Sequence, residues 1–286
     1  MKFGLFRKYG AMNSLPVFDA FAESVRRKGW DVVENDDRAD VAVIWSVLWH
    51  GRMQANRLIW EKYQRHNRPV IVLEVGALDR GRLWKVAING INGRGYFGPE
   101  EKSNKRRKKL NINPRPWQQS ENIILCGQHP ASQQWANMPP IHVWMSETIG
   151  MLRKHTDRKI IVRPHPRANY VPTGQLKNVE VNPPCHMIGT YDSFDFEDAL
   201  SNAWAVVNWN SNPATIAALR GVPVFVGPDS ISAPIGNLDL ASIENPRMPD
   251  REEWANQLAY TEWSVDEIAA GEPLERLSDR LLNQSI

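Results

Sequence analysis

The chain reads as an α/β protein made of two successive series of alternating strands and helices, each series around a mostly parallel sheet. Three observations predict this. Short apolar, β-branched runs recur at 40–45, 69–75, 123–126, 159–163 and 205–208, the signature of strands buried on both faces. Segments with helical apolar spacing lie between them, and strand–helix alternation argues for parallel sheets. Two of the runs, Lys159-Ile-Ile-Val-Arg163-Pro-His165-Pro-Arg167 and Ala205-Val-Val-Asn208-Trp-Asn210-Ser211-Asn212-Pro213, open into polar loops, and the second runs straight into a helix. In an open α/β sheet, the crevice outside the carboxyl ends of the strands is where ligands bind.

The elements follow in order. Residues 2–6 form a short strand. Ser14 and Pro16 then supply a cap and an early-turn proline for a helix with Val17, Phe18, Phe21 and Val25 on one face, ended by Gly29. Strands are expected at 30–33, 40–45 and 69–75, with a helix at 54–66. Residues 76–98 carry six glycines and read as one long functional loop. The chain changes character near Pro114-Arg-Pro116. A second series has strands at 123–128 and 159–163, a loop from Ser132 to Trp135, and a helix at 140–155. It continues with a strand at 179–181, a helix at 196–203 capped by Asp195 or Ser193, and a strand at 205–208. A helix at 215–219 has Pro213 in its first turn and Gly221 at its C-cap, and residues 222–226 form the last strand. The segment 251–286 is helical and acidic. The expected division is 1–120, 121–260 and a helical tail at 261–286.

At 286 residues, with 42% hydrophobic and 23% charged residues, the chain has the composition of a soluble globular protein. It shows no signal-peptide apolar region, and its two cysteines, Cys126 and Cys185, are too few for a disulfide framework; both point to the cytoplasm. The net charge of +3 conceals an asymmetry. Residues 1–120 hold 23 Lys and Arg against 12 Asp and Glu, so the acidic excess lies in the remainder. A basic half suits a polyanionic partner, or is simply attracted to the acidic half.

The polar loops carry the chemistry. Prolines on both sides of His165 stiffen its loop. Arg163 offers a bidentate fork for phosphate and His165 a hydrogen bond or a charge. Alternatively, the Arg-Pro is a structural turn. Asn210, Ser211 and Asn212 precede a helix whose first N–H groups suit an anionic ligand, and they are also ordinary capping residues.

Arg163-Pro-His165-Pro, followed by Asn-Ser-Asn-Pro-Ala-Thr-Ile-Ala-Ala-Leu-Arg-Gly-Val-Pro-Val, resembles the donor half of two-domain (GT-B) glycosyltransferases. The capsule-polysaccharide and glycerophosphotransferase type, with its basic-Pro-His-Pro loop, is the nearest form, and residues 249–268 are similar to its C-terminal segment. Ile44-Trp-Ser-Val-Leu-Trp49-His50-Gly51-Arg52-Met and Trp84-Lys85-Val-Ala-Ile-Asn89-Gly90 look like glycosyltransferase-like proteins of bacteriophages, some of which decorate hydroxylated pyrimidines in DNA. The resemblance implies a GT-B-like fold: two Rossmann-like domains with an interdomain cleft, 1–120 binding the acceptor and 121–260 the donor. It implies a nucleotide-diphosphate sugar, taken as a UDP-sugar, as co-substrate, with no tightly bound cofactor. Arg163, His165, Ser211 and Asn212, with Asn210 and Thr215, would hold the diphosphate; Gln128 and Ser132 would sit near the nucleotide or sugar. No Asp-x-Asp pair lies in a suitable loop, so a metal-independent transferase is expected, with phosphate charge met by Arg, His and the helix dipole.

Transfer to a hydroxyl needs a proton acceptor. Glu74 ends an otherwise apolar strand, where desolvation would raise its pKa, or it pairs with Arg80 or Arg82. His50 is the rival base. Asp19 and the Asp36, Asp37 and Asp40 group read as cap and loop charges. Lys102-Ser-Asn-Lys105-Arg106-Arg107-Lys108-Lys109 packs six cations into eight residues. With Arg52, Lys85, Arg94 and Arg115 it would bind the phosphates of double-stranded DNA, and Trp84, Tyr96 and Trp117 would stack on an extruded hydroxymethylated base. A solvated helix face is the plainer reading of the same run. The favoured acceptor is therefore a hydroxymethyl pyrimidine in phage DNA, in the host cytoplasm. A surface polysaccharide or lipid-linked acceptor is the alternative, and a nucleotide- or DNA-binding protein without turnover is a third.

Overall fold

The first strand, β1 (Lys2–Leu5), leads through two short 3-10 turns into α1 (Leu15–Arg27), with Pro16 in its first turn. Val17, Phe18, Phe21 and Val25 are buried on one face as their spacing predicts, and Gly29, at φ +72°, turns the chain out. The order continues with β2 (Asp31–Glu34), β3 (Val41–Trp45), α2 (Asn56–Arg65), β4 (Val70–Val75) and β5 (Trp84–Ile88). This computed structural model describes residues 1–174 and 176–283; the last three residues of the expected helical tail lie outside them. The chain divides into two units, residues 1–106 with 256–286, and residues 107–255. It crosses inside α3 (Lys105–Lys109) and returns inside α7 (Glu252–Leu258).

The first unit differs from expectation at its sheet edge. Among the described residues its sheet runs β11-β5-β4-β3-β1-β2, where β11 is Glu262–Trp263. β1 to β4 pair in parallel, whereas β5 is antiparallel to both β4 and β11. The stretch 76–98 is thus not one loop: β5 lies inside it with all five residues buried. Lys85 conceals it, because a charged residue inside an apolar run breaks the pattern by which strands are recognised. Two short helices follow β11, α8 (Val265–Ala270) and α9 (Glu272–Asn283). Leu274, Leu277 and Leu281 of α9 lie in the same core cluster as Phe3, Phe21 and Trp45. Burying a leucine is worth roughly 1.5–3 kcal/mol. The C-terminal segment is therefore integral to the first unit, and the separate tail is corrected.

The second unit holds β6 (Asn122–Cys126), α4 (Ile141–Leu152), β7 (Ile160–Arg163), β8 (Val179–Val181), α5 (Phe196–Leu200), β9 (Ala203–Val207), α6 (Asn212–Leu219) and β10 (Val224–Phe225). Among the described residues its strands are all parallel, in the order β10-β9-β6-β7-β8. The boundary falls at 106/107, not 120, because residues 115–118 are bound into the second unit. Arg115 N–H donates to Leu219 O and Gln118 N–H to Gly221 O. Gly221 has φ +85°, and a Cβ there would meet the Pro116 carbonyl, so this approach needs glycine twice over. Among the described residues no helix is long and apolar enough to cross a membrane.

Two predictions follow from this packing. Arg220, just after α6, grips Glu197 of α5 and holds its carboxyl below the usual range. A carboxylate depressed in the folded state contributes stability above its unfolded pKa and loses it as pH falls through the folded value. The urea midpoint should drop between pH 7 and pH 3, and Glu197→Gln should flatten part of that drop. Burial pushes the Cys126 thiol up to about 12, whereas Cys185 is exposed. A thiol reagent at pH 8 should therefore label Cys185 in the native protein and reach Cys126 only in urea.

Candidate functional site

In the second unit, register pairs Cys126 with Arg163 and Leu125 with Val207, so the carboxyl ends of β6, β7 and β9 are level. The loops that leave them carry Gln128-His129-Pro130, Pro164-His165-Pro166 and Asn208 to Ser211. Gly127 lets the first two loops close on each other: its N–H donates to Arg163 O at 2.8 Å, and a Cβ would meet Met145 at 2.5 Å and the His165 backbone at 3.2 Å.

His165 and His129 lie edge to face with ring centroids 5.2 Å apart. Each Nδ1 accepts a backbone N–H at 3.1 Å, from Arg167 and from Ala131 respectively. In the neutral ring this leaves Nε2 as the N–H donor on both. The sequence reading missed His129, although two His-Pro pairs after adjacent parallel strands was a usable signal.

Arg163 requires a correction. Its guanidinium is only 3% exposed, and Nη2 donates to Asp195 Oδ1 at 2.5 Å. The same oxygen accepts the Cys185 N–H at 2.8 Å. Asp195 stands at the N-cap of α5 but makes no cap bond, since Arg163 and the 185 loop take its carboxylate. An arginine already neutralised in this way positions its loop and does not present an open phosphate fork.

The Asn210–Ser211–Asn212 loop also differs from a simple cap. Ser211 is the N-cap of α6 without a side-chain cap bond. Its hydroxyl accepts instead from Asn208 Nδ2 at 2.8 Å, while Asn208 Oδ1 accepts the Ser211 N–H at 2.9 Å. The first turn of α6, starting at Asn212, thus has no side-chain cap from Ser211. Thr215 is buried, its Oγ1 3.4 Å from Ser232 Oγ. Ser132 caps the 3-10 turn Gln133–Trp135 through Gln134 N–H. Gln128 and Asn210 are different: both are buried, and neither Gln128 side-chain atom nor Asn210 Oδ1 has a hydrogen-bond partner.

In the first unit, Glu74 is half-buried near the carboxyl end of β4. Its Oε2 accepts from Ser46 Oγ at 2.5 Å and its Oε1 from Val75 N–H at 2.8 Å. Ser46, at φ +64°, turns out of β3, and that bend aims its hydroxyl at Glu74. Cross-strand register sets Glu74, Lys85 and Glu262 in one row on a single sheet face. Burial pushes the Lys85 amine down and the Glu262 carboxyl up, and each counters the other's shift. Glu262 Oε1 and Oε2 accept the Ala77 and Leu78 N–H groups at 2.6 and 2.9 Å. Glu74 therefore has a cross-strand lysine, and Arg82 pairs with Asp79 instead. His50 is exposed ahead of the 3-10 turn Gly51–Ala55.

Three of the expected DNA-contacting cations are structural. Lys85 is 5% exposed inside β5. Arg106 is 5% exposed and bound to Glu267 and to the Ala259 and Glu262 carbonyls. Arg107, also buried, donates to Ile112 O and faces Glu252 at 3.5 Å. Arg52, Arg94, Lys105, Lys108 and Lys109 are exposed. Two of the three stacking aromatics fare no better: Trp84 is buried, and Trp117 donates to Pro249 O with Arg251 over its ring at 3.6 Å.

No protein-family model matches the chain, and no curated protein matches it in sequence. Solved structures do. The β-Kdo 2,4 transferase of KpsC from Thermosulfurimonas dismutans is similar over 91% of this chain and 90% of its own, at 16% identity and a TM-score of 0.55. The β-Kdo 2,7 transferase of the same organism's KpsC is similar over 96% and 99%, at 13% identity and a TM-score of 0.50. Identities this low speak to the fold: this chain shares the GT-B-like architecture of two Rossmann-like α/β units with those Kdo transferase structures.

Proposed function

We propose that the protein is a glycosyltransferase that moves a sugar from a nucleotide-activated donor to a hydroxyl of a carbohydrate acceptor, as on a surface polysaccharide or a glycolipid. The observation that carries this reading is the shared fold over nine-tenths of the chain with two structures named as a β-Kdo 2,4 transferase and a β-Kdo 2,7 transferase. The loops after β6, β7 and β9 in the second unit would bind the donor, through His165, His129 and the first turn of α6. Glu74 would take the acceptor proton, with His50 as the alternative base. Carbohydrate is preferred over DNA because Lys85, Arg106 and Arg107 are spent inside the fold, which thins the basic surface on which a DNA acceptor depended.

The test incubates the full chain with a panel of nucleotide sugars, an activated Kdo donor among them, and three acceptors: Kdo-ended oligosaccharides, a neutral oligosaccharide and hydroxymethylated DNA. Mass spectrometry reads the products. A mass gain of one sugar on an oligosaccharide is the expected result. A gain confined to DNA would overturn the acceptor, and no gain with any pair would overturn the transferase. Repeating the productive pair in EDTA checks the expectation that no divalent ion is needed.

A further inference from the structure

One pair of side chains in the second unit is unexplained by packing, and this step rests on the donor-site reading given above. From β6 the chain goes to β7 and β8 on one side, then returns to β9 and β10 on the other. The strand order reverses there, so the crevice at the carboxyl ends of β6 and β9 is the topological switch point. Gln128 follows β6 and Asn210 follows β9. Adjacent strands lie about 4.8 Å apart, so one small ligand can span both loops.

Gln128 is 3% exposed, and neither its Oε1 nor its Nε2 has a partner. Asn210 is 7% exposed; its Nδ2 donates to Gln134 O at 3.4 Å, while its Oδ1 has no partner. Turning the Asn210 amide round would set two oxygens against each other, so its orientation is determined. Nearby Asn208, Ser211 and Ser132 are satisfied within the protein. Buried amides without partners are costly and call for a ligand or an explanation.

What remains at the switch point is two carbonyl acceptors and one NH₂ donor. Phosphate oxygens only accept, so a phosphate would meet one favourable group and two repulsive ones. Two adjacent hydroxyls, each both donor and acceptor, satisfy all three. We infer that Gln128 and Asn210 form a subsite for a vicinal diol, and that the phosphates lie elsewhere along the loops. A nucleotide sugar carries such a diol on its ribose and on its transferred sugar.

The experiment compares wild type with Gln128→Leu by thermal denaturation and calorimetry. The probes are ribonucleoside diphosphates, their 2′-deoxy counterparts, the matching nucleotide sugars and inorganic pyrophosphate. Without ligand, Gln128→Leu should melt at or above the wild-type temperature, since it removes two unsatisfied buried atoms. Its affinity for the diol-bearing ligand should fall at least about tenfold. If the ribose is the diol, 2′-deoxy probes lose the same factor on wild type and nothing more on the variant. If the transferred sugar is the diol, the variant binds nucleoside diphosphates normally and loses only the extra affinity of the nucleotide sugar. Unchanged affinity for every probe, or pyrophosphate affinity falling in equal measure, overturns the subsite while leaving the donor reading intact. A wild type that binds no nucleotide or nucleotide sugar overturns the donor reading, and the subsite falls with it.

Discussion

Arg106→Ala should cost about 3–5 kcal/mol in urea unfolding, the penalty for leaving one member of a buried ion pair alone. The guanidinium donates to both Glu267 oxygens at 2.8 Å, to Ala259 O at 2.6 Å and to Glu262 O at 2.7 Å. Its plane lies 3.8 Å over the Trp263 ring. Truncation strands the Glu267 carboxylate, two carbonyls and an aromatic face together. Glu267 is also the third helical residue of the capping box that starts α8 at Ser264, so the loss reaches into that helix. Arg106→Lys keeps the charge and cannot reproduce the fork, so it should recover only part of the loss. Arg106→Met with Glu267→Leu should recover most of it, because removing both ions leaves neither unpaired. Lys108→Ala, two residues along on an exposed position, should move stability by less than about 0.5 kcal/mol. Equal effects at 106 and 108 would return the whole run to the surface role that its sequence suggests.

That contrast shows what the sequence could and could not reveal. Parallel strands buried on both faces announce themselves as unbroken apolar runs, and β3, β4, β6, β7 and β9 were legible for that reason. The loops after β6, β7 and β9 were legible too, since prolines, amides and histidines interrupt those runs abruptly. Six cations in eight residues, by contrast, cannot be sorted into surface and interior without their partners. Glu267 lies 161 residues from Arg106 in the chain, and Asp195 lies 32 from Arg163. The strands β5 and β11 were hidden for a related reason. Their Lys85 and Glu262 are charges that look like solvent-facing residues and are instead each other's neighbours in a buried row. Local patterning reports burial only for residues that need no partner.

The same buried row bears on the largest effect expected in activity. Glu74→Gln should lower kcat by about 10²–10⁴-fold, the usual span for losing a general base, with little change in melting temperature. The substitution keeps the side-chain shape and an oxygen that can still accept from Ser46 or Val75. It removes the ability to take a proton. Ser46 and Val75 occupy one acceptor position on each carboxylate oxygen. A carboxylate has about four such positions, so Glu74 retains the capacity to receive an acceptor hydroxyl. Ser46→Ala should give a smaller fall in kcat than Glu74→Gln, since it loosens the carboxylate without removing it. Lys85→Met would be a poor probe, because it strands Glu262 in the interior and would act through stability. His50→Ala is the informative comparison: its ring is exposed, so its removal should leave the fold unchanged. If His50→Ala abolishes turnover while Glu74→Gln retains it, the base is His50 and the Ser46–Glu74 contact only fixes the bend after β3. If Glu74→Gln alone loses turnover and still binds donor as wild type does, Glu74 acts in the chemical step and not in holding the donor.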